Sequence, residues 1–186
     1  LVSCFGTVGY DVREHVADML IKECGATLDL KVVDPDGPAK AAAGTRSEEG
    51  ASPLHLACGT HRQGALKGKE AEMVHHLLTL KADPMLAMPS GVTPFERVVR
   101  EISEHFDGSH VATHHGGVAI GAERKNVLNA IAADLVKFKA DVGVGVDGFH
   151  PVEHAFRSSN LPLFKTLFDA GVDPEIKNDA EETLMD

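Results

Sequence analysis

Three segments of the chain end alike, and three others begin alike. The common end is an amphipathic apolar stretch closed by an Asp, as in "LLTLKADP" (77–84), "LVKFKADV" (135–142) and "LFDAGVDP" (167–174). The common start is a Gly three residues before a Pro that opens an apolar helical pattern, as in "GASPLHLA" (50–57), "GVTPFERV" (91–98) and "GFHPVEHA" (148–155). Because starts and ends alternate, they mark the boundaries of repeating units. A sequence repeat of this kind constrains the whole fold.

These starts and ends resemble the ankyrin repeat, a unit of about 33 residues with the pattern G-x-T-P-L-H-x-A, a short turn, V-V-x-L-L-L and G-A-D. In that family the Pro and the closing Asp lie 22 residues apart, and the Asp and the next Pro lie 11 apart. Pro151 and Asp173 are 22 apart, Asp83 and Pro94 are 11 apart, and Asp141 and Pro151 are 10 apart. The resemblance implies an all-α fold: an ankyrin-repeat α-solenoid of about four helix-pair repeats with long inserted loops.

Longer spacings locate the inserted loops. Pro53 and Asp83 are 30 residues apart, and Pro94 and Asp141 are 47 apart. Solenoids tolerate such excess because each repeat contacts only its neighbours. We therefore predict a single domain over 1–186, with the following parts: repeats at approximately 1–33, 48–87, 88–144 and 145–177, the start of a further repeat at 178–186, and insertions at approximately 34–48, 60–70 and 103–125.

Each unit is predicted to contain two short antiparallel helices. In the unit that begins at Pro151, the proline fits the first helical turn, where its missing N–H costs nothing. The first helix is expected to bury Val152, Ala155 and Phe156. The second is expected to bury Leu163, Phe164, Leu167 and Phe168 and to stop at Gly171. Stacking of neighbouring units would cover these stripes.

Eleven histidines raise the question of a metal or catalytic site. His55 is the fourth residue of the "SPLH" element, and the resemblance implies that it holds neighbouring loops together through hydrogen bonds. A second group falls in the insertion 103–125 and consists of His105, His110, His114 and His115. Zinc binding by these four stays open as an alternative, but no Cys accompanies them, and a loop that is either mobile or ordered by a partner is the preferred interpretation.

Composition narrows the class of partner and compartment. The formal net charge of −10 argues against nucleic acid, whose binders need a basic face, and favours a protein partner, which is expected to be basic or one of several subunits. No apolar run reaches the roughly 20 residues that span a bilayer, so no direct membrane insertion is expected. Cys4, Cys24 and Cys58 have no C-x-x-C spacing, which predicts reduced thiols in an intracellular compartment such as the cytoplasm or an organelle matrix.

The sequence lacks a phosphate-binding loop, a nucleophile elbow and a H-E-x-x-H motif. We therefore expect no enzyme activity and no cofactor, and predict a protein–protein interaction module or scaffold. Two alternatives remain: an accessory subunit embedded in a large, possibly organellar, complex, and the regulatory repeat segment of a longer enzyme.

Ankyrin proteins bind partners through their turn tips and first helices. The matching positions here are Glu48, Glu49, Met88, Pro89, Ser90, Val92, Arg100, Glu101, Val146, Phe149, Arg157 and Ser158. Met88 and Phe149 are expected to be exposed apolar anchors, because a few large side chains usually dominate an interface. Packing between adjacent tips is the alternative for both.

Overall fold

The computed structural model describes ten stretches of the chain: 18–19, 22–23, 27–29, 50–59, 69–106, 122–143, 145–146, 149–173, 175 and 183, with backbone alone at 104–106 and 122–123. Six helices account for most of these residues: α1 (Pro53–Cys58), α2 (Glu70–Thr79), α3 (Pro94–Phe106), α4 (Ala122–Lys137), α5 (Pro151–Arg157) and α6 (Leu161–Asp169). Outside these helices, the described part of the chain has one isolated antiparallel bridge, between Val146 and Phe149. The prediction of an all-α fold is confirmed at this level.

The chain divides into two compact units, Leu1–Pro94 and Phe95–Asp186. In the first unit α1 packs against α2. In the second, α6 packs against both α5 and α4. Both ends of the predicted insertion 103–125 are helical, because α3 continues to Phe106 and α4 begins at Ala122.

Helices α1 and α5 begin with the same arrangement of backbone and side chain. Pro53 and Pro151 occupy the first helical turn, where no intrahelical partner for an N–H exists. In α1 the ring Nδ1 of His55 accepts from the backbone N–H of Ser52 at 3.2 Å. In α5 the carboxylate of Glu153 reaches back to the N–H of His150 at 2.8 Å. Both contacts satisfy donors that a helix start leaves without partners.

The ends of α2, α4 and α6 share one hydrogen-bond pattern. The backbone N–H groups of Ala82, Ala140 and Val172 donate to carbonyls five residues earlier at 3.0, 2.9 and 3.1 Å. The residue before each has a positive φ: 71° at Lys81, 66° at Lys139 and 86° at Gly171. This is the Schellman helix end, which requires a left-handed residue and is usually built on Gly. The stop predicted at Gly171 is confirmed.

An aspartate turn follows each of these three helix ends. The carboxylates of Asp83, Asp141 and Asp173 accept the backbone N–H two residues later at 2.8, 2.8 and 2.9 Å. An Asp side chain that bonds its own backbone two residues on replaces one turn of the chain and redirects it. The closing Asp therefore has the same structural role in each of the three sequence units.

The core follows the predicted helical stripes, with two exceptions. Leu163 and Leu167 of α6 are fully buried, as are Leu128, Ile131 and Leu135 of α4. Phe156 and Phe168, however, keep 61% and 57% of their surface exposed, so their predicted burial is wrong, and Phe164 is only half-buried. A 3.6-residue period assigns a side chain to a wide apolar stripe, but the described neighbours cover only its Leu163–Leu167 side.

Candidate protein-binding surface

His55 connects the start of α1 to the turn at residues 88–92, which precedes α3 and lies in the same compact unit. Its Nδ1 lies 2.8 Å from Ser52 Oγ and 3.2 Å from the Ser52 backbone N, while its Nε2 lies 3.1 Å from the carbonyl oxygen of Val92. A carbonyl only accepts, so Nε2 carries the ring proton and Nδ1 is the acceptor. His55 is completely buried. Its role is to join α1 to the turn tip that precedes α3.

That turn tip is closed by backbone hydrogen bonds. The N–H of Met88 donates to the carbonyl of Val92 at 2.9 Å, and the N–H of Gly91 donates back to Met88 at 2.9 Å. Val92 is half-buried, and Pro89 and Ser90 are exposed at the tip. Met88 keeps only 8% of its surface exposed, so the expectation of an exposed apolar anchor at this position is wrong. The fold uses Met88 for packing.

The tip before α5 is one residue tighter. The N–H of Val146 donates to the carbonyl of Phe149 at 2.7 Å, three residues away, and Phe149 donates back at 3.0 Å. In the first tip the bonded residues, Met88 and Val92, lie four positions apart. The spacing of 10 residues between Asp141 and Pro151, one short of the ankyrin value, thus coincides with a tighter tip. Val146 is fully buried there, and Phe149 is half-buried.

His154 holds this second tip in place. Its Nε2 lies 2.8 Å from the carbonyl oxygen of Val146, and its Nδ1 lies 2.5 Å from the hydroxyl oxygen of Ser103 in α3. By the same reasoning as for His55, Nε2 donates and Nδ1 faces the hydroxyl. His154 keeps 7% of its surface exposed. Sequence reasoning missed both partners, because neither the hydroxyl nor the carbonyl lies at a helical spacing from His154.

Arg157 and Phe149 are brought together by the fold. The guanidinium carbon of Arg157 lies 3.9 Å from the centroid of the Phe149 ring. The edge of the same ring system meets His154, with centroids 5.9 Å apart and planes at 88°. A guanidinium over an aromatic face is attracted by the ring quadrupole. These two residues were predicted from separate elements, a tip and a first helix, and they form one surface cluster.

Two other predicted positions have internal partners, and a third is half-buried. Glu101 is 4% exposed and pairs with Arg124 of α4, whose Nε lies 3.0 Å from the carboxylate and whose terminal NH2 group contacts the same oxygen. Ser158 is 6% exposed and donates its hydroxyl to the carbonyl of His154 at 2.6 Å. Arg100 is half-buried in α3. Glu101 is buried in a contact that joins α3 to α4, and Ser158 is buried in a hydrogen bond that closes the end of α5, so neither offers a surface for a partner.

A reciprocal amide pair in the second unit was also absent from the sequence prediction. The side-chain amides of Asn129 in α4 and Asn160 at the start of α6 donate to each other at 3.1 and 2.8 Å. Asn160 also accepts from the N–H of Leu163 as a helix cap. An Asn before an apolar helix predicts the cap from sequence alone, but the sequence does not identify the partner of this Asn on another helix.

Asp18 pairs with two basic side chains of the first unit. Its carboxylate lies 2.6 Å from Lys22 Nζ and 2.8 Å from His76 Nε2 of α2. The hydrogen bond from Lys22, helped by His76, lowers the pKa of Asp18 below its ordinary value. The contact fixes residue 18 beside α2.

Several predicted positions lie outside the described residues. These are Glu48, Glu49, His110, His114 and His115, together with the side chain of His105. Within the described stretches, no three His, Cys, Asp or Glu side chains are grouped so that they could hold a metal ion. Cys58 is buried and makes no disulfide, as predicted, while Cys4 and Cys24 fall outside these stretches.

In the part of the chain that the structure describes, no helix combines the length and the apolar character that crossing a membrane requires. No family model matches the sequence, and no curated protein matches it.

Proposed function

We propose that this chain is an ankyrin-type solenoid module that binds a protein partner through its turn tips and first helices. The observation that carries the proposal is the threefold recurrence of one helix end. Leu77, Leu135 and Leu167 each supply the carbonyl of a Schellman bond, and an Asp turn follows each of them. A fold assembled from one repeated unit builds an extended surface along its tips, which is how solenoids bind proteins.

The roles of the polar residues near the tips support a binding function over catalysis. His55 and His154 each donate to a tip carbonyl, and Glu153 accepts a backbone N–H at a helix start. These side chains hold the tips in shape. The groups left for recognition are exposed tip residues such as Pro89 and Ser90, with the Phe149–Arg157 pair.

Site-specific photo-crosslinking tests this proposal. A photoreactive amino acid replaces Ser90 at the exposed tip. The matched control places the same amino acid at Glu72, which is exposed on α2. Both proteins are irradiated in an extract of the source cells, and adducts are identified by mass spectrometry. Because solenoid partners lie along tips and first helices, we expect a defined adduct from position 90 and none from position 72.

The same experiment separates the alternatives. A subunit embedded in a large assembly would be surrounded on several sides and would crosslink from both positions to different proteins. Absence of an adduct from position 90, with or without one from position 72, contradicts tip-mediated binding.

A further inference from the structure

The guanidinium of Arg157 is held at the surface in a fixed position. It lies 3.9 Å from the centroid of the Phe149 ring, and Arg157 itself is exposed. Within the described residues, this ring contact is the one interaction of the Arg157 side chain; its backbone belongs to α5. The guanidinium is a planar fork of N–H donors whose geometry matches a carboxylate.

Capping of α5 does not account for this arginine. A basic residue in the last helical turn often serves the terminal carbonyls. Here the carbonyl of His154 accepts from the N–H and the hydroxyl of Ser158, that of Ala155 accepts from Asn160, and that of Phe156 accepts from Ser159. The last-turn carbonyls have other donors, and the arginine is directed to the Phe149 ring instead.

Among the described residues close to Arg157 in sequence, or in contact with its sequence neighbours, are a cation, a buried carboxylate and an exposed ring, although the chain as a whole is acidic. Lys125 Nζ lies 3.5 Å from the carbonyl of Ser159, two residues beyond Arg157. Glu153, the acidic residue of α5, is 5% exposed and bonded to the N–H of His150. Phe156, the immediate neighbour of Arg157 in sequence, is 61% exposed.

We propose that Phe149, Phe156 and Arg157 form a docking surface for a partner segment in which a carboxylate stands beside a large apolar side chain. The carboxylate binds the Arg157 fork, and the apolar side chain covers exposed ring surface. Arginine and aromatic residues are the side chains that most often dominate binding energy. This inference rests on the proposed function and specifies the partner chemistry at one of its surfaces.

A partner segment that carries a carboxylate is the opposite of the basic partner that the net charge favours. A chain of charge −10 attracts basic partners at long range. Screening restricts that long-range field to about 8–10 Å at physiological salt, so a local cation with a preorganised geometry decides what binds in contact with it.

A titration with three blocked dipeptides tests the carboxylate. The probes are acetyl-Glu-Leu-amide, its Gln analogue and its Lys analogue, each added to the isotope-labelled full chain at millimolar concentration. Binding is followed through the Nε–Hε resonance of Arg157. Hydrogen bonds to charged groups are strong enough that we expect about tenfold weaker binding of the Gln analogue, and none of the Lys analogue.

Two variants and one control assign the effect to the stacked arginine. Arg157→Gln is expected to weaken the Glu dipeptide about tenfold. Lys165→Gln, at an exposed position of α6, changes the net charge by the same amount and is expected to leave binding unchanged. Phe149→Val, which introduces the residue found at the matching tip position 92, is expected to weaken binding about two- to fivefold through loss of the ring contact. Far-UV circular dichroism checks that each variant is folded.

The outcomes separate this inference from the proposed function. Equal affinity for the Glu and Gln dipeptides, equal effects of the position 157 and 165 variants, or no shift at Arg157 overturns the carboxylate surface and leaves tip-mediated binding intact. Absence of any crosslink from position 90 overturns the proposed function, and the docking surface with it.

Discussion

Gly50 is the position where one methyl group tests the packing between two turn tips. Its φ is +77°, and a Cβ built there lies 2.1 Å from Cδ and 2.5 Å from Cγ of Pro89. Gly91 has nearly the same φ, +85°, but a Cβ there meets nothing within 4 Å. The two glycines therefore share the backbone cost of a substitution and differ in the steric cost.

The expected magnitudes follow from these two terms. A non-glycine residue in the left-handed region costs about 1–2 kcal/mol, so we expect Gly91→Ala to lower the free energy of unfolding by that amount. Overpacking against a rigid ring adds about 1–3 kcal/mol, so we expect about 2–5 kcal/mol for Gly50→Ala. Pro89 was predicted to bind partners, and this contact would give it an internal role as well.

Urea denaturation followed by far-UV circular dichroism measures both values, since the chain has no Trp to serve as a fluorescent reporter. The double variant Gly50→Ala/Pro89→Ala removes the ring and should recover the steric part of the loss but not the backbone part. Equal destabilisation by Gly50→Ala and Gly91→Ala, or no recovery in the double variant, would refute the reasoning.

Three further predictions concern stability. Lys139→Gly should raise the free energy of unfolding by about 0.5–1 kcal/mol in the same urea assay, because Gly removes the strain of φ 66° at a Schellman position; a loss would contradict this. Leu167→Ala should cost about 2–5 kcal/mol as a core truncation, while exposed Phe168→Ala should cost far less, and similar values would place both side chains wrongly. Burial lowers the pKa of His150 below 6.5, so protonation favours the unfolded state and stability falls as pH drops below that value. His150→Thr should remove this loss of stability as the pH drops below about 6.5, and an unchanged pH profile would exclude His150 as its source.

The sequence predicted the local elements of each unit well, because their causes are local. A proline in the first turn, an apolar period of 3.6 and a closing Asp all act within a few residues. Pro53 and Pro151 start helices, and Asp83, Asp141 and Asp173 close turns, as the pattern indicated. Lys81 and Lys139 adopt the left-handed conformation although no Gly marks them.

Exposure and pairing were harder to predict because they depend on residues far apart in sequence. Glu101 was assigned to a partner surface, yet Arg124 reaches it from the next helix, across 23 residues. Met88 was expected to be exposed, and the fold buries it. Phe156 shows the reverse error. A period identifies the apolar side of a helix, but which apolar side chains are covered depends on the neighbouring elements.

Two of the buried histidines, His55 and His154, show how one structural task is performed by different side chains in different units. In the "SPLH" element, His55 both bonds Ser52 at the helix start and donates to the tip carbonyl of Val92. The last unit has Glu153 at the matching position. Its carboxylate accepts the N–H of the helix start but has no proton to donate to a carbonyl, and the adjacent His154 donates to Val146 instead. One imidazole has been replaced by two side chains that divide its bonds, and the second of them brings Phe149 beside Arg157.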